Sequence, residues 1–243
     1  MYNVHWYNVI MNSILLYYFS VFSAVNQKRL IMDIVWLGHS TFRLKGKQIT
    51  IITDPFESTG PDDPWPRPTA QVVTISHNHP GHNNVKGVEG NPKIISGPGE
   101  YEVSGSFIVG FSTFHDTEEG KRLGRNTIFN AEIDGVRICH LGDLGHPLSA
   151  QQVEAMGSPD VLLVPIGGTS NLGVVAAAHT VRQLEPHIVI PMHFPSAAGA
   201  TVEPLDKFAH EIGLKLEPSI PRISVTRSNM PSDMRVVVLS PGK

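Results

Sequence analysis

Short apolar and β-branched runs recur along the chain from Met32 onward and predict a strand-rich fold. Turn residues between neighbouring runs, Gly46-Lys47 and Asp134-Gly135, indicate two hairpins. Several later runs are almost continuously apolar, which is typical of strands covered on both faces. The predicted strands are Ile34–Leu37, Thr41–Leu44, Thr50–Thr53, Val72–Ser76, Lys93–Ser96, Glu102–Val103, Phe107–Gly110, Thr127–Ile133, Val136–His140, Val161–Val164, Ile188–Ile190 and Met234–Leu239.

Three segments have helical periodicity, and all of them lie late in the chain: Ser149–Met156, Val174–Leu184 and Pro204–Ile212. The early strands follow one another without helices, which argues against a plain doubly wound sheet. Buried strands in both halves favour two stacked sheets with helices on each outer side. The predicted fold class is therefore α/β (α+β), as a four-layer αβ/βα sandwich.

The first 31 residues differ in pattern from the rest. Val9–Val25 is apolar, but it is slightly short of the roughly 18–20 residues of a spanning helix. No Lys or Arg precedes it, so the basic start of a signal peptide is missing. We expect residues 1–31 to be a translated extension outside the fold, with a membrane anchor and a signal peptide as alternatives. Each of these leaves one domain over residues 32–243.

Composition limits the partners of this domain. The 243 residues carry a formal net charge of −3 and no basic cluster, so we expect a small-molecule substrate and no nucleic acid. The single cysteine, Cys139, excludes an internal disulfide and suits a reducing compartment, so we expect a cytoplasmic protein. No membrane partner is expected unless the N-terminal segment is an anchor, and a homo-oligomer is left open.

The segment His77–His82 reads HNHPGH and directly follows the predicted strand Val72–Ser76. Side chains alternate with a period of two in extended backbone, so His77 and His79 point to the same side. His82 adds a third imidazole from the following turn. Neutral imidazole suits Zn, Fe, Mn or Cu better than Mg or Ca, so the segment predicts a transition-metal site.

Three further polar residues follow predicted strands in the same way. His115 ends the run from residue 107 to 114, Asp143 follows the run Val136–Leu141, and His193 follows the run Ile188–Met192. Each one alone is weak evidence. Together with the histidine segment they make five histidines and one carboxylate at similar topological positions, a number that suits a two-metal site.

With these residues in view, the chain resembles the metallo-β-lactamase superfamily, in particular its small ascorbate-6-phosphate lactonase-like branch. The resemblance covers about residues 32–240. It rests on Trp36–Ser40, Thr53–Pro55, His77–His82, His115, Asp143 and His193, which occur in the order found in that family.

The resemblance implies a division of the ligands between two ions. The first ion would be held by His77, His79 and His115, and the second by His82 and His193. Asp143 would be shared between the two. Asp54 would support the site from behind by orienting a ligand imidazole.

One position departs from the family pattern, because Gly81 stands where an aspartate of the second metal site is found. Its loss predicts a weaker second site, a mononuclear enzyme, or a carboxylate supplied from elsewhere. The nearest candidates for that carboxylate are Asp116 and Glu100. Unless one of them fills the gap, Gly81→Asp is expected to tighten the second ion. His39, near the site by family analogy, is a further candidate functional residue.

The predicted function is that of a metal-dependent hydrolase that uses a metal-bound hydroxide on a small-molecule ester, lactone or phosphodiester. One or two Zn ions are expected, with Mn or Fe as alternatives. Asp143 would hold the metals and orient the hydroxide, and His140 or His146 would protonate the leaving group. The competing hypotheses are a non-catalytic metal-binding or ligand-sensing protein and a phosphodiesterase or nuclease.

Overall fold

The structure is a computed structural model that describes residues 31–58, 60, 65–167, 171–194 and 203–242. The predicted extension over residues 1–31 lies outside this part of the chain except for its last residue, and it stays a prediction. No helix in the described ranges is long and apolar enough to cross a membrane.

The first sheet is built mainly from the early part of the chain. Its strands are β1 (Met32–Gly38), β2 (Thr41–Lys45), β3 (Thr50–Thr53), β4 (Val72–Thr74), β5 (Lys93–Ile95) and β12 (Ile223–Val225). They lie in the order β12-β1-β2-β3-β4-β5. Strands β12 to β3 pair antiparallel, whereas β4 and β5 continue the sheet in parallel.

The second sheet is built from the later strands. These are β6 (Gly99–Val103), β7 (Ser106–Phe114), β8 (Arg125–Ile133), β9 (Val136–His140), β10 (Val161–Pro165), β11 (Ile188–Met192) and β13 (Arg235–Val236). Their order is β13-β11-β10-β9-β8-β7-β6. Strands β6 to β9 form an antiparallel meander, and β9, β10, β11 and β13 are parallel. The predicted Asp134-Gly135 turn joins β8 and β9, with Ile133 opposite Val136.

Alternation along the buried strands produces two apolar layers. In β10, Val161 and Leu163 belong to the core between the sheets, whereas Leu162 and Val164 belong to the layer that the helices cover. A strand buried on both faces has no polar positions, which explains its continuous apolar run.

The three predicted helices are present as α1 (Ala150–Met156), α2 (Val174–Leu184) and α3 (Glu203–Ile212). Ser149 starts α1 with a capping box: its side chain accepts from the Gln152 N–H, and the Gln152 side chain accepts from the Ser149 N–H. All three helices pack on the outer face of the second sheet.

The outer face of the first sheet differs from the prediction of helices on both sides. Within the described ranges this face packs against loop residues, including Trp65 and Val88, and the segment there forms a single 3₁₀ turn at Val85–Gly87. The predicted last strand is also shorter than expected, because only Arg235–Val236 pairs in the sheet.

Candidate metal centre

The predicted ligands and the supporting Asp54 all follow the carboxyl ends of strands. These are Asp54 after β3, the histidine segment after β4, His115 after β7, Asp143 after β9 and His193 after β11. In the first sheet, β3 and β4 are parallel neighbours. In the second sheet, β7 and β9 run in the same direction because each pairs antiparallel with β8, which lies between them. The carboxyl ends of the strands in each pair therefore lie at the same edge of their sheet. The structure brings all of these side chains together in one cluster.

The carboxylate of Asp143 lies at the centre of the cluster. Its Oδ2 is 3.9 Å from Nε2 of His77 and 3.5 Å from Nε2 of His115. The same oxygen is 3.3 Å from Nε2 of His82 and 3.2 Å from Nε2 of His193. One carboxylate oxygen therefore faces four imidazoles, two from each of the predicted ligand groups.

These separations fit a bound ion. A tetrahedral ion with ligands at about 2.0–2.2 Å holds neighbouring ligand atoms roughly 3.3–3.6 Å apart. The ligand atoms of His77, His79 and His115 all lie within 4.8 Å of one another. Within the described residues, Nε2 of His77 and Oδ1 of Asp143 are buried without a hydrogen-bond partner, which is costly unless another group such as a cation satisfies them.

Hydrogen bonds behind the cluster fix which nitrogen of His77 faces it. The Ser76 hydroxyl lies 2.5 Å from Oδ2 of Asp54, and an ionised carboxylate can only accept, so the hydroxyl donates its single proton there. Nδ1 of His77, 2.9 Å from the same hydroxyl oxygen, must then be the donor in that contact. Nε2 of His77 is left as a free lone pair directed at the ion site.

Asp54 orients His82 in the same manner. Its Oδ2 lies 2.9 Å from Nδ1 of His82, and its Oδ1 accepts from the backbone N–H of Ser76 at 2.7 Å. Because Nδ1 of His82 is engaged with Asp54, its Nε2 faces Asp143. Asp54 thus acts from behind on two imidazoles, His82 directly and His77 through Ser76.

We expect Asp54→Asn to weaken metal binding by about 10–100-fold while the fold stays intact. The amide cannot accept from His82 and Ser76 as two anionic oxygens do, so the imidazoles lose their fixed orientation. The measurement is metal content after dialysis at a series of free zinc concentrations, with circular dichroism as the fold control. Unchanged zinc affinity would show that the ligands are oriented without Asp54.

The electrostatics of the cluster favour neutral ligand imidazoles. Burial lowers the pKa of His77 to about 3, and burial together with His193 and His82 lowers the pKa of His39 to about 4. Burial alone would also lower the pKa of His82, but hydrogen bonds to Asp143 and Asp54 raise it to about 9. The two carboxylates therefore favour a cation between them, either the imidazolium or a metal ion.

Comparison with known proteins places this arrangement in a family. A sequence model described as a beta-lactamase superfamily domain matches residues 33–193. The chain belongs to the metallo-β-lactamase superfamily. A protein of Thermotoga maritima, assigned to the Zn-dependent hydrolases of this superfamily, has a solved structure that is 37% identical in sequence, with a TM-score of 0.71. The match covers 86% of this chain and 98% of that one, and it confirms the predicted fold class.

Sequence relatives give the same assignment. A UPF0173 metal-dependent hydrolase of Thermococcus onnurineus is 30% identical over 212 residues, which are 75% of this chain and 92% of the relative. Another, from Pyrococcus abyssi, is 27% identical over 244 residues, which are 87% of this chain and 98% of the relative. Within the superfamily the chain is thus a metal-dependent hydrolase. The finer resemblance to the ascorbate-6-phosphate lactonase-like branch stays a prediction.

Two side chains that position the candidate metal ligands, Asn126 and Ser76, were not predicted from the sequence. Asn126 is buried and accepts from the Asp143 backbone N–H at 3.0 Å, while its amide donates to Leu141 O and Thr113 Oγ1. In the sequence, Ser76 stands out only as the last residue of the predicted strand Val72–Ser76. The sequence signal for Asn126 is its position as a polar residue directly before the predicted strand Thr127–Ile133.

The predicted proton donors, His140 and His146, do not suit that role in this superfamily member. Nε2 of His140 lies 2.8 Å from Ser40 O, and its Nδ1 accepts from the Gly142 N–H. Nε2 of His146 accepts from the Phe114 N–H, and its Nδ1 donates to Pro147 O. Both rings use both nitrogens on the main chain, so the geometry assigns them a structural role.

Neither predicted substitute for the missing carboxylate fills the gap. Asp116 accepts from four backbone N–H groups, those of residues 118, 120, 122 and 123, and these bonds lower the pKa of its carboxyl to about 2. Its carboxylate therefore builds the loop after His115. Glu100 is exposed on the edge strand β6, opposite Val109.

Proposed function

We propose that the enzyme hydrolyses a small-molecule ester or lactone. The observation that carries the proposal is the convergence of four imidazole nitrogens on Oδ2 of Asp143. When bound there, a divalent ion lowers the pKa of a water ligand to about 7 and polarises the carbonyl under attack. Zinc fits this imidazole-rich ligand set best, with Mn and Fe as alternatives.

The chain's own residues supply the remaining parts of the reaction. Oδ1 of Asp143 is buried without a partner among the described residues and can accept a hydrogen bond from the attacking water, which orients it. Because His140 and His146 have no free nitrogen, the leaving oxygen takes its proton from solvent. The half-buried rings of His39 and His79 mark the side of the cluster that solvent reaches.

An acyl substrate is favoured over a phosphodiester by the charges around the cluster. After burial, the main causes of the pKa shifts of His39, His77 and Asp143 are neighbouring His and Asp residues, and no Lys or Arg of the described residues is among them. A phosphodiester is usually bound through Arg or Lys. Next to the cluster lie apolar rings instead: Phe56 packs edge-on against His39, with 6.5 Å between centroids, and also contacts Trp65.

The proposal is tested by hydrolysis assays on purified protein with a γ-lactone, an aryl ester and a bis-aryl phosphodiester. We expect turnover of the lactone or the ester, its loss on chelation, and its return on adding zinc. His77→Ala serves as the matched inactive control. Faster turnover of the phosphodiester would favour the phosphodiesterase alternative, and a zinc-loaded protein without any turnover would favour the non-catalytic one.

A further inference from the structure

The space left by the missing aspartate is filled by His39. A Cβ built on Gly81 would lie 2.8 Å from Nε2 of His39 and 3.2 Å from its Cδ2. Real Cβ atoms essentially never approach a neighbouring atom so closely, so the imidazole occupies the volume that a side chain at position 81 would need. In this structure the imidazole of His39 would therefore have to move to admit a side chain at position 81.

The ring of His39 completes a second group of ligands. Its ligand atom and those of His82 and His193 all lie within 4.8 Å of one another. The centroid of its ring is 4.1 Å from that of His193 and 4.8 Å from that of His82. Oδ2 of Asp143 lies 3.2–3.3 Å from Nε2 of His82 and His193, so it can add an oxygen ligand to these three nitrogens.

The backbone holds His39 firmly in this position. The pairing of β1 with β2 shifts register between Trp36 and Gly38, directly before it. Its carbonyl oxygen accepts from Nε1 of Trp36 at 2.9 Å and from the N–H of His193 at 3.1 Å. His39 and His193 both adopt positive φ, of 50° and 56°, a strained conformation for a non-glycine residue that the surrounding contacts must maintain.

We propose that His39 replaces the missing aspartate as a ligand of the second metal ion. The second site then consists of His39, His82 and His193, with Asp143 shared with the first site. The inference rests on the metal dependence of the proposed function but not on its substrate. An imidazole in place of a carboxylate makes the site less anionic and selects for Zn or Co over Mn.

The proposal reverses the expectation drawn from the sequence for Gly81→Asp. An aspartate at position 81 would clash with the imidazole of His39. Gly81→Asp alone therefore adds a carboxylate ligand but displaces the imidazole ligand of His39. Together with His39→Ala, the aspartate has room to act without displacing a ligand.

Cobalt binding tests the proposal without relying on activity. Apo-protein is titrated with Co²⁺ while visible absorption and equilibrium dialysis report affinity and stoichiometry. We expect two ions in the unmodified protein, and in His39→Ala a second ion weakened at least about tenfold with the first unchanged. The retained tight ion shows that this variant is folded. The matched control is His179→Ala, which removes an exposed imidazole from α2.

The double variant His39→Ala with Gly81→Asp provides the decisive comparison. We expect it to regain the second ion and to bind Mn²⁺ better than the unmodified protein does, because a carboxylate has replaced an imidazole. The proposal is overturned if His39→Ala leaves both cobalt affinities unchanged, or if Gly81→Asp alone tightens the second ion as much as the double variant. A protein that binds no ion at all would instead defeat the proposed function.

Discussion

Replacing Asp143 by Asn is expected to lower hydrolytic activity at least about a thousandfold and to remove both metal ions from the purified protein. Oδ2 of Asp143 lies within 3.9 Å of Nε2 in four histidines. The isosteric amide keeps the shape but loses the negative charge that offsets the repulsion between two divalent ions. Loss of the stabilisation supplied by the ions costs several kcal/mol in the transition state, which corresponds to this rate factor.

Asp160→Asn is the matched control, because Asp160 is also a buried aspartate next to a strand of the second sheet. It accepts from the Arg137 N–H at 2.7 Å and precedes β10, so it lies at the opposite edge from the ligands. We expect lower stability in this control but unchanged metal content and turnover. Asp143→Asn protein that still holds two ions would show that the imidazoles alone suffice.

Much of this site could be predicted from the sequence, because strand ends are visible in the pattern. Buried strands such as Val161–Pro165 and Ile188–Met192 stand out as apolar runs, and the polar residue after a run lies at the sheet edge. The convergence of His115, Asp143 and His193 follows from strands that run in the same direction. Residues that are far apart in the sequence therefore come together because their strands end at the same edge.

The wrong expectation for His140 has an identifiable cause. It is the last residue of β9, as in the predicted strand Val136–His140, and its closeness to Asp143 in the sequence does not show which way its side chain points. Counting by two from Ile138, which faces the core between the sheets, places His140 on the same inner face. There it contacts the main-chain oxygen of Ser40, in the turn between β1 and β2. The alternation of side chains along β9 can be read from the sequence, but the contact of His140 with Ser40 cannot.

Two other features could not have been read from the sequence. The strand Ile223–Val225 is only three residues long, and it forms because β1, far away in the chain, offers an unpaired edge. The role proposed for His39 depends on its distance from Gly81, two residues that lie on different loops. The departure at Gly81 signalled that something had to replace the aspartate, but not that the replacement would be an imidazole.

Removing the metal is expected to lower the unfolding midpoint of this domain by about 10 °C. An ion present at a thousand times its dissociation constant stabilises the native state by about 4 kcal/mol. In a domain of this size each kcal/mol shifts the midpoint by about 2–4 °C. The buried lone pair of His77 and the buried Oδ1 of Asp143 have no partner among the described residues, so the native state binds the ion while the unfolded chain does not hold this ligand set together.

Thermal unfolding followed by circular dichroism measures this effect in the presence of chelator, excess Zn²⁺ and excess Mg²⁺. We expect Zn²⁺ to restore the midpoint and Mg²⁺ to leave it low, because Mg²⁺ prefers oxygen ligands and imidazoles dominate this site. His77→Ala supplies the internal control, since it removes the ligand whose lone pair faces the ion and its midpoint should respond much less to zinc. An unmodified protein whose midpoint is the same with chelator and with zinc would contradict the assignment, because four imidazoles packed around one carboxylate would then be stable without any cation between them.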